Sequence, residues 1–201
     1  MELSLPVSRA LLYELPSIVE RLELGRLFPE AQPLEVELGC GDGSFLVDYA
    51  GQNPATNFLG VERLLGRIRK LERKGRRRGR TNLCGVRIES AYFLEYLLPP
   101  HCVRALHIYF PDPWPKHKHR KYRLINARFP TLAHQVLVPG GRVYLRTDDA
   151  DYFQQMQSVF AADQRFHPVE TSADLAAVRT DFERDFNAQG IVTRRAAYAR
   201  D

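Results

Sequence analysis

Residues 34–43 read Leu34-Glu35-Val36-Glu37-Leu38-Gly39-Cys40-Gly41-Asp42-Gly43, and the fold turns on them. A short run rich in apolar residues, Leu34–Leu38, predicts a strand, and three glycines in the next five residues predict a tight turn. Ser44 then opens a predicted helix to Gln52, with Phe45, Leu46 and Tyr49 on its buried side. Glycine adopts positive φ without penalty and lets backbone approach a ligand closely. The next predicted strand, Asn57–Val61, ends at Glu62, nineteen residues past Gly43. That is near the spacing at which a carboxylate accepts ribose hydroxyls beside such a turn.

Two cofactors compete for this arrangement. A dinucleotide calls for GxGxxG and a helix N-terminus kept clear for its pyrophosphate. This chain has GxGxG preceded by Glu37, and Asp42 lies inside the turn, where negative charge repels phosphate. Acid there suits a ligand that lacks phosphate and carries positive charge, such as the ammonium and sulfonium of S-adenosylmethionine. A tight turn of purely structural purpose is the plain alternative, and an NAD-dependent oxidoreductase is the distant functional one.

Outward from the turn, strands and helices alternate. Basic residues fill a helix after Glu62; Leu83–Ile88 is a strand, Ala91–Leu98 a short helix and Val103–Phe110 a strand. Leu124–Leu137 reads as a helix broken near Pro130, Arg142–Arg146 as a strand after Gly140-Gly141, and Ala150–Phe160 as a helix. Two β-like runs, Phe166–Glu170 and Ile191–Ala199, follow. The alternation predicts a mostly parallel α/β sheet covered on both faces, its final strand antiparallel. Its ligand site is expected outside the strands' carboxyl ends, where Glu37, Glu62, Asp112 and Asp148 gather. The stretch 1–33 reads as an N-terminal arm, its leucines (Leu11, Leu12, Leu15, Leu22) at helical spacing interrupted by Pro16; 34–201 reads as a single domain.

The hydrophobic share of 44% and charged share of 26% are ordinary for a globular domain. Cys40, Cys84 and Cys102 are widely spaced, without CxxC, which speaks against a disulfide framework or structural zinc. No basic start precedes an apolar block and no run reaches membrane-spanning length, so a cytoplasmic protein is expected, a monomer or homodimer without membrane contact. The net charge of +5 conceals a strong asymmetry. Residues 63–80 and 116–123 hold 15 of the 29 basic residues but one of the 24 acids. The remainder is therefore acidic, and two concentrated basic segments point to a docked polyanion rather than two solvated faces.

The second basic segment continues an unusual loop. Residues 107–123 read HIYFPDPWPKHKHRKYR: a strand stops at Pro111, Asp112 follows, and Pro113 and Pro115 stiffen the backbone around Trp114. Asp112 either caps a turn or presents a carboxylate at an active-site edge; the strand's end facing the glycine turn favours the second reading. Both a core position and stacking on a base fit Trp114. His117 and His119 flank Lys118, but no third ligand accompanies them, and no metal is expected.

Together these segments resemble the bacterial tRNA (guanine-N7-)-methyltransferases. The matches are ELGCGDG at 37–43, GVE at 60–62, FPDPWPKHKHRKYR at 110–123, RTDD at 146–149 and TDFERDFNAQG at 180–190. The resemblance implies a Rossmann-like class I methyltransferase fold, a mostly parallel seven-stranded sheet with helices on both faces. It implies S-adenosylmethionine as cofactor, held by Glu37, Glu62, Glu89, Asp112 and the turn of Gly39, Gly41 and Gly43. Asp112 is then also the catalytic carboxylate, and Lys116, Asp148 and the Thr180–Glu183 segment hold the target guanosine of the tRNA variable loop, guanosine 46. Glu89 departs from the aspartate usual in the family. Phe182 is expected to pack while Thr180 and Glu183 supply polar contacts, and Lys116 with its basic followers, Arg73, Lys74 and Arg76–Arg78 are expected on phosphates. Two rivals remain: the same fold acting on a protein or small molecule, which leaves both basic segments idle, and an RNA-binding protein without transfer activity, which has no need of the four carboxylates.

Overall fold

The computed structural model describes residues 10–201. Its strands are β1 (Leu12–Tyr13), β2 (Leu34–Leu38), β3 (Asn57–Val61), β4 (Leu83–Val86), β5 (Val103–Tyr109), β6 (Leu137–Thr147), β7 (Phe166–Pro168) and β8 (Arg194–Arg200). They form one sheet in the order β1-β4-β3-β2-β5-β6-β8-β7. All neighbours from β1 to β6 are parallel, whereas β8 runs antiparallel to both β6 and β7. The helices are α1 (Ser44–Gln52), α2 (Leu65–Arg77), α3 (Ser90–Tyr92), α4 (Phe129–Val136), α5 (Ala150–Ala161), α6 (Ala173–Ala177) and α7 (Asp181–Ala188).

Eight strands stand where seven were expected, and the extra one comes from the leucine-rich arm. Leu12 and Tyr13 pair with Gly85 and Val86, and the rest of the described arm is irregular, with several bends and a 3-10 turn at Leu24–Arg26. Helical spacing misled here because the leucines are separately anchored. Leu11 packs where Gly75 of α2 has no side chain, while Leu22, Leu27 and Phe28 enter the main core and the Leu22 amide donates to the Leu97 carbonyl. Covering the open edge of β4 satisfies backbone groups that a free helix would leave exposed.

A second difference concerns Pro130. It opens α4 instead of breaking a longer helix, at a position where the missing N–H has no helical acceptor to lose. A π turn, Phe93–Leu97, extends α3 and buries Phe93, Leu94 and Leu97.

Alternation along β2 sorts the two cores. Val36 and Leu38 face α4 and α5, and Glu35 and Glu37 point to the side of α1. Glu35 is satisfied there: Arg104 Nε donates at 3.0 Å and His107 Nε2 lies at 2.8 Å. Burial acts to raise its pKa, but the hydrogen bonds and charges of His107 and Arg104 outweigh it and hold the carboxyl below its ordinary value. Glu37, two residues on, is placed quite differently.

Candidate active site

A cleft of about 500 Å³ opens beyond the carboxyl ends of β2 to β5. Gly39, Glu62, Glu89 and Asp112 line it together with Arg63, Arg67, Trp114 and Tyr122. Chain connections leave β2 and β5 toward opposite edges of the sheet, and such a switch point is where this architecture leaves a crevice.

The glycine turn forms the floor. Gly43 begins α1 at φ +75°, and any Cβ there would come within 2.6 Å of Leu71 Cγ, so glycine permits α2 to close on the turn. Gly41 donates its amide to Glu62 Oε2 at 3.2 Å, and Leu64 donates to Glu62 Oε1 at 2.8 Å. Glu62 is thereby oriented at the cleft wall with acceptor capacity left on both oxygens. Gly41, Gly43 and Glu37 do not line the cleft itself. Glu37 is buried beneath the turn, and among the described residues its Oε2 has no hydrogen-bond partner. Burial pushes its pKa well above the usual carboxylate range, Arg146 partly draws it down, and Asp42 and Glu62 push it up again. An orphaned buried acceptor of this kind fits a cationic ligand group.

Asp42 differs from the expectation. Its Oδ2 takes Lys74 Nζ at 2.7 Å and its Oδ1 accepts from the Ser44 amide at 3.1 Å, so its charge is met by the chain. Glu89 is also engaged: it caps α3 by accepting from the amides of Ala91 at 2.9 Å and Tyr92 at 2.7 Å. The longer side chain curls back onto its own helix end.

The opposite wall is the proline-rich loop. Phe110 and Trp114 bracket Asp112 at φ +51° and +43°, a region costing bulky residues on the order of 1–2 kcal/mol each. Among the described residues the Asp112 carboxylate has no hydrogen bond or ion pair, in contrast with Glu62 and Glu89. What holds the loop is Arg123, almost completely buried. Its Nε donates to the Pro113 carbonyl at 2.6 Å, and its other nitrogens donate to Gln155 Oε1 at 2.8 Å and Asp151 Oδ2 at 2.7 Å. Read in sequence as the end of a phosphate-binding run, Arg123 instead fixes the backbone next to Asp112.

Of the residues expected to hold the guanosine, none lines this cleft. Lys116 is exposed at the start of a 3-10 run, His117–Tyr122. Asp148 follows β6, its carbonyl accepting from Arg194 at 2.8 Å and its carboxylate unpaired among the described residues. Thr180 caps α7 by accepting from the Glu183 amide at 2.9 Å. Glu183 is fully buried, with Arg146 donating to Oε2 at 2.8 Å and Arg195 to Oε1. Phe182, expected to pack, is exposed, its one ring contact among the described residues being with Phe186 at 6.2 Å, while Thr180 and Glu183 make their polar contacts inside the protein.

Arg146 was unforeseen as a functional residue. Its guanidinium also donates to the carbonyls of Val178 and Leu175, each at 2.7 Å, and lies 4.3 Å from the Tyr109 ring centroid. It thus ties α6 and α7 to the end of the sheet above Glu37. The T-x-x-E pattern of a capped helix start was the available sequence signal for α7; nothing local marked Arg146 as buried.

Among the described residues there is no cluster of metal-ligating side chains and no helix long and apolar enough to cross a membrane.

The fold and the cleft define a class I methyltransferase architecture. It is shared with the crystal structure of a 30S ribosomal A1408 methyltransferase from an uncultured bacterium, at a TM-score of 0.61, 18% identity, and coverage of 89% of this chain and 93% of that one. Residues 31–194 match the family described as "Putative methyltransferase". Relatives include tRNA (guanine-N(7)-)-methyltransferases of Rubrobacter xylanophilus, 39% identical over 70% of this chain and 62% of the relative, and of Syntrophotalea carbinolica, 33% identical over 87% and 77%. The chain belongs to the tRNA (guanine-N(7)-)-methyltransferase family. It spans about three fifths of the length of the first curated relatives it matches.

Proposed function

We propose that this chain transfers a methyl group from S-adenosylmethionine to N7 of a guanosine in tRNA, guanosine 46 of the variable loop. The observation that carries this reading is the Asp112 carboxylate, unpaired among the described residues and held in a strained loop across the cleft from the Glu62 wall, with exposed basic residues continuing the loop. When bound, S-adenosylmethionine supplies an electrophilic methyl on a sulfonium. Glu62 would offer acceptors to the ribose hydroxyls, and Glu37, buried beneath the turn and outside the cleft lining, would meet the ammonium only where the turn opens to uncover its Oε2. Glu89 keeps lone pairs for the adenine amino group beyond those it gives to its own helix.

Guanine N7 carries an in-plane lone pair and no proton, so the chain needs no strong base there. Its task is to place N7 in line with the methyl, and alignment of that kind removes several kcal/mol of barrier. As the guanine ring acquires positive charge, Asp112 stabilises it electrostatically from a fixed position. Lys116 and Asp148 hold the nucleoside, the first through phosphate and the second through the N1–H and amino edge. Glu183 acts at a remove, fixing Arg146 and with it the segment that starts at Thr180.

The test is to incubate the protein with labelled cofactor and an unmodified tRNA transcript and to map the modified base. Label at N7 of guanosine 46 is expected. Label on an exocyclic amine, a ribose, or no RNA at all would sink the assignment. In the same assay Asp112→Ala should lower transfer by at least about 100-fold while leaving tRNA retention on filters unchanged.

A further inference from the structure

The cleft has an aromatic side that the carboxylate chemistry leaves without a task. Trp114 is the only tryptophan of the chain, and it is half-buried at the cleft rather than in either core. Tyr122, also lining the cleft, is 57% exposed. The two rings meet at 5.4 Å between centroids with 56° between planes, and His119 meets the Trp114 ring edge-on at 5.9 Å and 88°. Rings in that contact leave no slot between them for a base. They form an angled wall with faces left over, two residues from Asp112.

The loop maintains this wall against its own preferences. Trp114 is held at positive φ although it is bulky, and Arg123 grips the carbonyl of Pro113 immediately before it. Strain of this type persists only where surrounding contacts over-determine it, and it concentrates at ligand clamps. A large apolar ring kept out of the core beside a free carboxylate, with exposed Lys116 and Lys118 just beyond, matches what an unstacked nucleobase requires. That requirement is a π surface, an acceptor for developing charge, and cations for the flanking phosphates.

We propose that the Trp114–Tyr122 wall is the stacking surface for the target purine, and that it sets the plane in which N7 faces the methyl donor. This rests on the methyltransferase reading above and adds to it a specific receptor for the flipped base. Asp112 then meets the ring at its edge while Trp114 covers its face, and a pyrimidine gives the wall less area to cover.

Because Trp114 is the sole tryptophan, its fluorescence reports on the wall in the unaltered protein. The experiment adds unmodified tRNA transcript to protein saturated with S-adenosylhomocysteine, following emission and filter retention together. A second arm uses the same transcript abasic at the target position; a third uses S-adenosylhomocysteine alone, to separate any cofactor effect. Quenching that tracks retention and is largely lost with the abasic transcript is expected. Retention without quenching, or equal quenching by both transcripts, overturns the stacking role even if transfer to N7 has been shown. No retention of any RNA overturns the methyltransferase reading as well, so the two failures are distinguishable. In a parallel assay Trp114→Ala should lower kcat/KM by about 5- to 150-fold, the range of base–aromatic stacking, and Trp114→Phe should recover most of it. Equal losses in both variants count against stacking.

Discussion

The two basic segments look alike in sequence and serve different ends in the folded chain. On α2, side chains of Arg69, Lys70, Arg73 and Arg77 are exposed without ion-pair partners among the described residues. Lys74 is turned inward to Asp42 and Asp181, and Arg78, just past the helix, meets Asp48. In the loop segment the balance tips further inward. Arg123 is buried on Pro113, Gln155 and Asp151, and Arg120 pairs with Asp151 at 2.9 Å, which leaves Lys116, Lys118 and Lys121 outward. One segment is therefore mainly a polyanion surface, and the other is half scaffold. Density of positive charge is a poor guide to which cations meet phosphate; the carboxylates that fold back onto them decide it.

The sharpest way to break this comparison is Arg123→Ala. If Arg123 is scaffold, transfer should fall on the order of 100-fold through misplacement of Asp112. Unfolding in urea should show a loss of about 2–3 kcal/mol, moderated because Asp151 is partly exposed and can rehydrate. The salt dependence of tRNA binding should stay as it was. A flatter salt dependence with stability intact would put Arg123 on phosphate after all.

The reciprocal change replaces Arg69, Lys70 and Arg73 together by alanine. Here the slope of log affinity against log salt should fall by about one for each phosphate that is no longer neutralised. Stability should change little, since exposed helix positions tolerate alanine. An unaltered slope would remove the α2 face from the tRNA surface.

The smallest effect concerns acid stability. Hydrogen bonding from Arg123 holds the Asp151 carboxyl below its ordinary pKa, against the opposing effect of burial and with the charge of Arg120 assisting. Its folded pKa is thus lower than its unfolded one, so the stabilisation is complete above the ordinary carboxylate range. It is lost as pH falls through the depressed value. Asp151→Asn should therefore lower stability slightly at neutral pH and flatten the acid limb, so that the two profiles converge once pH falls below the depressed value. An unchanged acid limb in a pH series of urea melts would show that the pair contributes nothing.

Much of the fold was legible because its signals are local. The bounds of β2, β3 and α1 coincide with those read from apolar runs and the glycine turn. Strand ends then carried Glu37, Glu62 and Asp112 to one edge, as parallel topology demands. The leucines of the arm were misread because their spacing satisfied a helix while their burial was decided by the edge of β4 and by the π turn. At the site, Thr180 and Glu183 read from sequence as polar-contact residues, and the folded chain supplies partners for both from within itself. A carboxylate in a charged stretch reads as solvent-facing until its partners are known.

By itself the sequence determined a mostly parallel α/β sheet, the glycine turn after one of its strands and the acid-aromatic loop after another, since strand period, positive φ and proline stiffness act within a few residues. Only the tertiary structure decided which charges are buried. Arg123 finds Asp151, and Arg146 finds Glu183, across 28 and 37 residues. A guanidinium is buried only where several acceptors converge to replace its water, and no local pattern encodes that convergence.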